Sequence, residues 1–450
     1  MKDHLTAHAP PRRPVDVLLR PFQLFAQGQA AGAIVLLAAA VLALVLANSP
    51  WSEEFAAIWE TPVGVGIGAA GLQKPLILWI NDALMAVFFF VVGLEIKREL
   101  LAGELATAKK AALPMIAALG GVLVPAGIYL AFNAGLPSQG GWGVPMATDI
   151  AFALGALAVL GSRVPVALKI FLTALAIADD IAAIVVIAVF YTESIALPLL
   201  GAAVGVVALA FAANRLGVRH SLVYLVLGAI VWLLFLKSGI HATLAAVVMA
   251  FTIPATRRID TRALGARIRG ALEALRDDEE RGTEGILTPE DTHALHVVEV
   301  AIEHATPPLQ RLEHGLIGFV TFVVMPVFAL ANAGVGLGGD GGADLGSAPA
   351  LGIMGGLVIG KPLGIFLAAF LAVKMGVAAL PAGVTWRQVF AVSVLGGIGF
   401  TMALFVGGLA FESTPGFLAT AKLAILVASA VAGIVGLVLL KRFTSPPSDG

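Results

Sequence analysis

Residues 175–187 read Leu175-Ala176-Ile177-Ala178-Asp179-Asp180-Ile181-Ala182-Ala183-Ile184-Val185-Val186-Ile187, with two adjacent carboxylates inside an apolar run from Leu168 to Phe190. A transmembrane helix needs roughly 20 apolar residues, so this run is long enough to cross a bilayer and its middle lies near the midplane. An aspartate at that depth costs about 2.5–3.5 kcal/mol on insertion scales, so it normally faces a partner or a water-filled cavity and marks an ion or proton path. A purely structural pair buried against polar neighbours is the alternative. Two consecutive aspartates double the cost of that reading and weigh against it.

Composition points the same way. Of 450 residues 59% are hydrophobic and only 13% charged, and mean hydropathy is +0.96, far above a soluble globular chain. The sequence predicts an all-α polytopic membrane protein. A net charge of −1 gives no hint of nucleic acid, and the absence of cysteine excludes disulfides, thiolate metal sites and cysteine nucleophiles. The 51 Gly and 24 Pro are tolerated in membrane helices where neighbours satisfy the freed backbone. No signal peptide is evident, because the first apolar run follows about thirty residues rich in Pro, Arg and His.

Apolar runs fall near 31–47, 76–96, 110–132, 142–160, 168–190, 195–213, 219–236, 239–254, 315–331, 349–373, 388–410 and 418–440, about twelve spans. The expected organisation is a cytoplasmic lead-in (1–30), spans one to eight (31–254), a long cytoplasmic loop (255–311), spans nine to twelve (312–441) and a cytoplasmic tail (442–450). With both termini inside, 24 of the 28 Lys and Arg fall on the cytoplasmic side. Val63-Gly64-Val65-Gly66-Ile67-Gly68 alternates with period two and reads as a small hairpin or a plain glycine loop. In the long loop, Leu264, Ile268, Leu272 and Leu275 predict one amphipathic helix. Thr288-Pro289-Glu290-Asp291 opens a second, with Leu295, Val298 and Ile302 on one face. The acidic stretch Asp277–Glu284 reads as a solvated linker.

Two spans are interrupted in their middles. Gly143-Val144-Pro145-Met146-Ala147-Thr148-Asp149 places a helix breaker before an N-cap pair in the fourth span. Gly396-Gly397-Ile398-Gly399-Phe400-Thr401 concentrates glycines in the eleventh. Such glycines also serve close helix packing. Irregular backbone at that depth is tolerated only where protein buries it or water lines it, so the breaks suggest a binding site. Each break exposes helix termini carrying about half an elementary charge, and the counter-charges within reach are Asp149 and Lys361. Lys361 lies about a dozen residues into the tenth span, too deep to snorkel easily. Spans three to five and ten to twelve each form a triplet with a broken middle helix and start on opposite sides. That inverted-repeat pattern belongs to secondary transporters.

Seven motifs in order resemble the NhaA sodium/proton antiporters, itself a standing example of inverted-repeat folds. They are Val92-Gly93-Leu94-Glu95-Ile96-Lys97-Arg98-Glu99, Ala147-Thr148-Asp149-Ile150-Ala151-Phe152, Asp179-Asp180, Ser238-Gly239-Ile240-His241-Ala242-Thr243, Arg311-Leu312-Glu313-His314, Gly360-Lys361-Pro362 and Gly397-Ile398-Gly399-Phe400-Thr401. The resemblance covers nearly the whole chain and implies export of sodium or lithium in exchange for protons, in a bacterial inner membrane. It implies Asp179 and Asp180 as central to ion binding, Asp149 and Thr148 nearby, and Lys361 partnering the site. It places the family's pH response on Glu95, Arg98, Glu99, Glu313 and His314, which read in isolation would be a solvated charge cluster. Ile317 and Gly318 depart from the family pattern, and the loop before Glu313 is long. His241 is assigned no catalytic role. The expected partners are Na+, Li+ and H+, the lipid bilayer and a second copy of the chain as a homodimer, with no nucleic acid and no cofactor.

The mechanism expected is competition. Close carboxylates away from water take up protons in coupled steps, and a hard cation prefers the same carboxylate, hydroxyl and carbonyl oxygens. No Walker sequence suggests a pump. A cation channel would need charged rings along a pore, whereas the midplane charges here are few and of mixed sign. An intramembrane aspartyl protease could pair Asp149 with Asp180, but its Gly-x-Gly-Asp signature is absent. Replacing Asp179 or Asp180 by Asn is expected to abolish exchange while leaving the protein folded.

Overall fold

The computed structural model describes residues 30–67, 70–192, 195–256, 264–266, 268–271, 289–337 and 343–444. The order is α1 (Ala31–Ala47), α2 (Ser52–Glu60), β1 (Pro62–Ile67), β2 (Ala70–Pro75), α3 (Leu76–Ala102), α4 (Ala108–Asn133), a 3-10 helix (Pro137–Met146), α5 (Ile150–Val159), α6 (Val166–Phe190), α7 (Leu197–Arg215), α8 (Ser221–Ser238) and α9 (Ala242–Thr252). After the long loop follow α10 (Pro289–Ala305), α11 (Pro308–Asn332), α12 (Ala348–Lys374), α13 (Trp386–Leu395), α14 (Phe400–Ala410) and α15 (Pro415–Phe443).

The all-α polytopic architecture stands. Among the described residues eight helices are long and apolar enough to cross a membrane, and up to eleven spans result if each sharply bent pair counts as one. The eighth expected span, 239–254, is the eleven-residue α9. At 1.5 Å per residue it covers about 16 Å, half a bilayer core. One element between the first two spans was not foreseen: the chain turns by 116° after α1 into α2, whose first turn carries Glu53 and Glu54. Of the two readings of residues 63–68 the hairpin is the one that forms, β1 pairing antiparallel with β2, Val65 opposite Leu72.

The chain divides into two compact units. The first comprises Met1–Trp59, Ala112–Ala183 and Met325–Gly450. Both expected triplets fall in it, apart from the ends of α4 and α6. The fourth span stops as a 3-10 helix at Met146, runs extended through Ala147-Thr148-Asp149 and restarts as α5, a 42° bend; α13 and α14 meet at 48° across residues 396–399. Gly120 on α4 and Gly364 on α12 let these helices touch, since a Cβ on either would strike the other's carbonyl group. A π-helical turn, Gly356–Gly360, precedes Lys361-Pro362, and another, Val320–Val324, precedes Met325-Pro326. Proline lacks an N–H and its ring crowds the carbonyl four residues earlier, so a widened turn just ahead relieves the clash. A buried network closes the end of this triplet pair where α4 finishes and α12 starts: Tyr129 Oη donates to Ser138 O (2.7 Å), Ser138 Oγ to Asn133 Oδ1 (2.7 Å), and Asn133 Nδ2 to Ala348 O (3.0 Å).

The second unit comprises Glu60–Ala111 and Ile184–Val324. Its hairpin is tied to α3 by an ion pair between Lys74 and Asp82 (2.8 Å), and Trp79 stacks on Trp232 of α8. The orphan carbonyls at the end of α9 need donors. Lys97 Nζ supplies them to Phe251 O (2.7 Å) and Ile253 O, and Asn214 Nδ2 to Thr252 O (2.7 Å). Leu309 N–H donates to Pro254 O (3.1 Å), so the long loop leaves and re-enters the unit at one point. Within the loop α10 forms with Pro289 at its start, as expected. Its inward residues are Ala294 and Ala301, while Leu295 and Ile302, expected on the apolar face, stay exposed. Helical turns occupy 264–266 and 268–271; the rest of the first amphipathic helix, the Asp277–Glu284 linker, residues 1–29 and the tail beyond 444 lie outside the described residues.

Candidate functional site

The geometry begins with two helix breaks that lie against each other inside the first unit. Asp149 N–H donates to Ile398 O (2.7 Å), joining the extended link before α5 to the link before α14. Asp149 is the N-cap of α5: its Oδ1 accepts from Phe152 N–H (2.9 Å). Its Oδ2 accepts from Thr401 N–H (3.1 Å) and from the Thr401 hydroxyl. One carboxylate thus serves the positive ends of two helices that both start at this depth.

The negative ends are met from the other side. Lys361, fully buried, donates through Nζ to Met146 O at the end of the 3-10 helix and pairs with Asp179 Oδ2 at 2.7 Å. Thr148 Oγ1 lies 2.7 Å from Asp179 Oδ2 and 2.8 Å from Gly396 O, the carbonyl just past α13. A hydroxyl has one proton, so Thr148 satisfies one of these acceptors at a time. Asp179 Oδ1 is buried with no hydrogen-bond partner among the described residues. Asp180 follows on α6, turned about 100° around the helix axis from Asp179, and is equally buried. None of Thr148, Asp149, Asp179, Asp180, Lys361 and Thr401 is more than 3% exposed. The arrangement therefore offers a buried cluster of three carboxylates, two hydroxyls and carbonyls around a lysine, with Asp179 Oδ1 without a hydrogen-bond partner among the described residues.

The five expected core residues lie in one unit, four joined by hydrogen bonds or ion pairs among themselves and their neighbours, with Asp180 adjacent on α6. Two further participants escaped the sequence reading. Thr401 stood in a motif without a role. Ser429 on α15 accepts from Phe400 N–H (3.0 Å), the first donor of α14; its only signal is a lone hydroxyl in an apolar run. Ser429→Ala is expected to leave that N–H buried and unpaired, at a cost of about 1–3 kcal/mol. A lowered melting temperature, restored by Ser429→Thr, is the outcome to measure; an unchanged one would show that the hydroxyl is dispensable.

The second unit gathers four of the five residues assigned to pH response. Arg98 pairs with Glu99 (2.8 Å) and Glu313 (3.0 Å) and reaches Glu95 at 3.9 Å; Glu99 and Glu313 are buried, so this is not the solvated cluster read in isolation. His314 is not part of it. It is exposed, and its Nδ1 pairs with Gln310 O of its own helix (2.9 Å), because neighbours on a helix point about 100° apart. His241 packs at the start of α9 with Nδ1 2.6 Å from Thr243 Oγ1, a local contact.

Comparison with known proteins adds an independent line. The family described as Na+/H+ antiporter 1 matches residues 23–440. The Na+/H+ antiporter NhaA of Oleidesulfovibrio alaskensis is 50% identical over 98% of this chain and 98% of its own length. The proteins of that name from Koribacter versatilis (46%, covering 98% and 96%) and, as NhaA 1, from Klebsiella pneumoniae (47%, covering 95% and 98%) are similar throughout. With half of all positions shared from end to end, the chain belongs to the Na+/H+ antiporter 1 family.

Proposed function

We infer that this protein is a secondary active antiporter that exchanges Na+ for H+ and is a transporter rather than an enzyme. The observation that carries the reading is Asp179: a buried carboxylate with one oxygen held by Lys361 and Thr148 and the other without a hydrogen-bond partner among the described residues, at the crossing of two broken helices. Na+ in this site takes oxygen ligands from Asp179, Asp180, Thr148 and nearby carbonyls, and protons compete for the same carboxylates. Lys361 and Asp149 hold the broken ends in place. The occupied site changes sides with either substrate; the empty, charged one does not, which couples the two flows. Li+ is a second substrate of the same oxygens. The protein sits in the inner membrane of a bacterium with both termini and the 255–311 loop on the cytoplasmic side, as its basic residues favour. It works as a homodimer, and the Glu95, Arg98, Glu99 and Glu313 cluster, together with the separate, exposed His314, sets its pH response. A protease role finds no support, since both Asp149 oxygens are already engaged by N–H and O–H donors.

Linkage supplies the test. A cation that binds the deprotonated site more tightly lowers the site's affinity for protons by the same factor. Apparent Na+ affinity must therefore weaken as pH falls through the carboxylates' titration, and Na+ binding must release protons. Calorimetry of the purified protein in buffers of different ionisation enthalpy is expected to show a buffer-dependent heat of Na+ binding. A buffer-independent heat with flat Na+ affinity across pH would overturn competition and require separate proton and sodium paths.

A further inference from the structure

At the end of the first unit where α12, α13 and α15 finish or start, Lys374, Arg387, Lys441 and Arg442 lie without any acid in residues 374–411 or 413–444. Among the described residues none of the four forms an ion pair. Arg387 and Arg442 line one cavity of about 510 Å3, together with Thr385, Trp386 and Phe443. Its walls are fixed. Thr385 and Gln388 cap the start of α13 reciprocally, and Gln388 Nε2 donates to Phe443 O (3.2 Å), clamping the end of α15 beside it. Trp386 packs edge-on against Phe370 (5.1 Å) and Phe366 (5.9 Å), the kind of aromatic anchor that sits at the level of lipid headgroups.

Directly along the same two helices runs a second, apolar groove of about 240 Å3, lined among others by Pro362, Phe390, Val394, Val435 and Leu439. On α13, Arg387, Phe390 and Val394 are spaced i, i+3 and i+7. On α15, Arg442, Leu439 and Val435 repeat that spacing in reverse. Each set therefore lies on one helix face. The seven-residue step from Arg387 to Val394 descends about 10 Å. A basic, aromatic-walled cavity thus stands over a hydrocarbon-lined groove at the edge of the bilayer.

We propose that this composite site binds an anionic phospholipid, its phosphate between Arg387 and Arg442 and an acyl chain in the groove below. Guanidinium groups suit this role because their planar donors grip phosphate oxygens in pairs, and basic pockets at membrane helix ends are a recognised form of lipid recognition. The groove selects a lipid over a free anion. The inference is independent of which side the site faces and of the ion chemistry.

The full-length protein in neutral detergent, mixed with phosphatidylglycerol or phosphatidylcholine and read by native mass spectrometry, tests it. Wild type is expected to retain phosphatidylglycerol at least about tenfold over phosphatidylcholine, and the Arg387→Gln, Arg442→Gln double variant to lose most of that preference. Val435→Trp, which fills the groove, should weaken retention of both lipids, and inorganic phosphate should not displace the bound lipid. Melting temperature in phosphatidylcholine alone checks that the variants remain folded. No preference in wild type, full preference in the double variant, undiminished lipid retention in Val435→Trp, or displacement by phosphate would each overturn the proposal.

Discussion

Asp180→Asn is expected to abolish exchange in proteoliposomes while leaving the melting temperature close to wild type, and Asp179→Asn to abolish exchange and lower stability as well. The sequence alone predicted one outcome for both, since a neutral amide costs less to bury than a charge. The geometry separates them. Asp179 carries the ion pair to Lys361 at 2.7 Å, so its amide variant leaves a fully buried ammonium without its counter-charge. Removing one partner of a buried pair costs on the order of 3–5 kcal/mol. Asp180 is one residue on, about 100° around α6 from the carboxylate that Lys361 holds. On the proposed mechanism its replacement removes a proton and cation ligand and leaves the Lys361–Asp179 ion pair in place. The measurement pairs Na+-driven pH change at imposed gradients with thermal unfolding of the same preparations. Wild-type exchange in Asp180→Asn would remove that residue from the site, and equal stability of the two variants would mean that Lys361 finds another partner.

Why could the centre of this site be read from residues alone, when much around it could not? Asp149, Asp179, Asp180 and Lys361 are charges in apolar runs, and the bilayer makes every such exception costly enough to need a reason. Pro145 and the Gly396–Gly399 cluster betray the breaks because proline removes a donor and consecutive glycines weaken a helix. Ser429 has no such signal: a hydroxyl is cheap enough to bury that its partner, the Phe400 N–H, emerges only when α15 packs against the break. Helix length was equally hidden. Residues 239–254 are as apolar as a span, but Gly239 turns left-handed so that α9 starts only at Ala242, and at its other end Lys97 and Asn214 take up the freed carbonyls, a matter of neighbours and not of hydropathy. The family resemblance groups His314 with Glu313, and helical phase parts them. Residues that interact through the chain's own exceptions were legible; those that depend on which face meets which neighbour were not.

The last expectation concerns Lys361 and is best put as a double-mutant cycle. Lys361→Ala alone removes the cation from Asp179 and the donor from Met146 O, and should destabilise the protein by roughly 3–5 kcal/mol at neutral pH. Protonation of the stranded Asp179 carboxyl is the one local means of removing its charge, so the deficit should shrink as pH falls and grow as pH rises. Adding Asp179→Asn to Lys361→Ala removes the stranded charge altogether. The double variant should therefore be more stable than the sum of the two single losses allows, with a coupling of about 1–3 kcal/mol, as for residues in direct contact. Exchange should be absent from the double variant, because on the proposed mechanism restoring charge balance restores neither the cation ligand nor the proton carrier. Thermal unfolding of the four proteins across pH measures the coupling, with Thr148→Val as a reference that disturbs the same carboxylate without removing a charge. Strict additivity of the two single losses, with no pH dependence in Lys361→Ala, would show that Lys361 and Asp179 do not stabilise one another. The lysine would then hold only the end of the 3-10 helix through Met146 O, and the broken fourth span, not the ion pair, would be the feature it maintains.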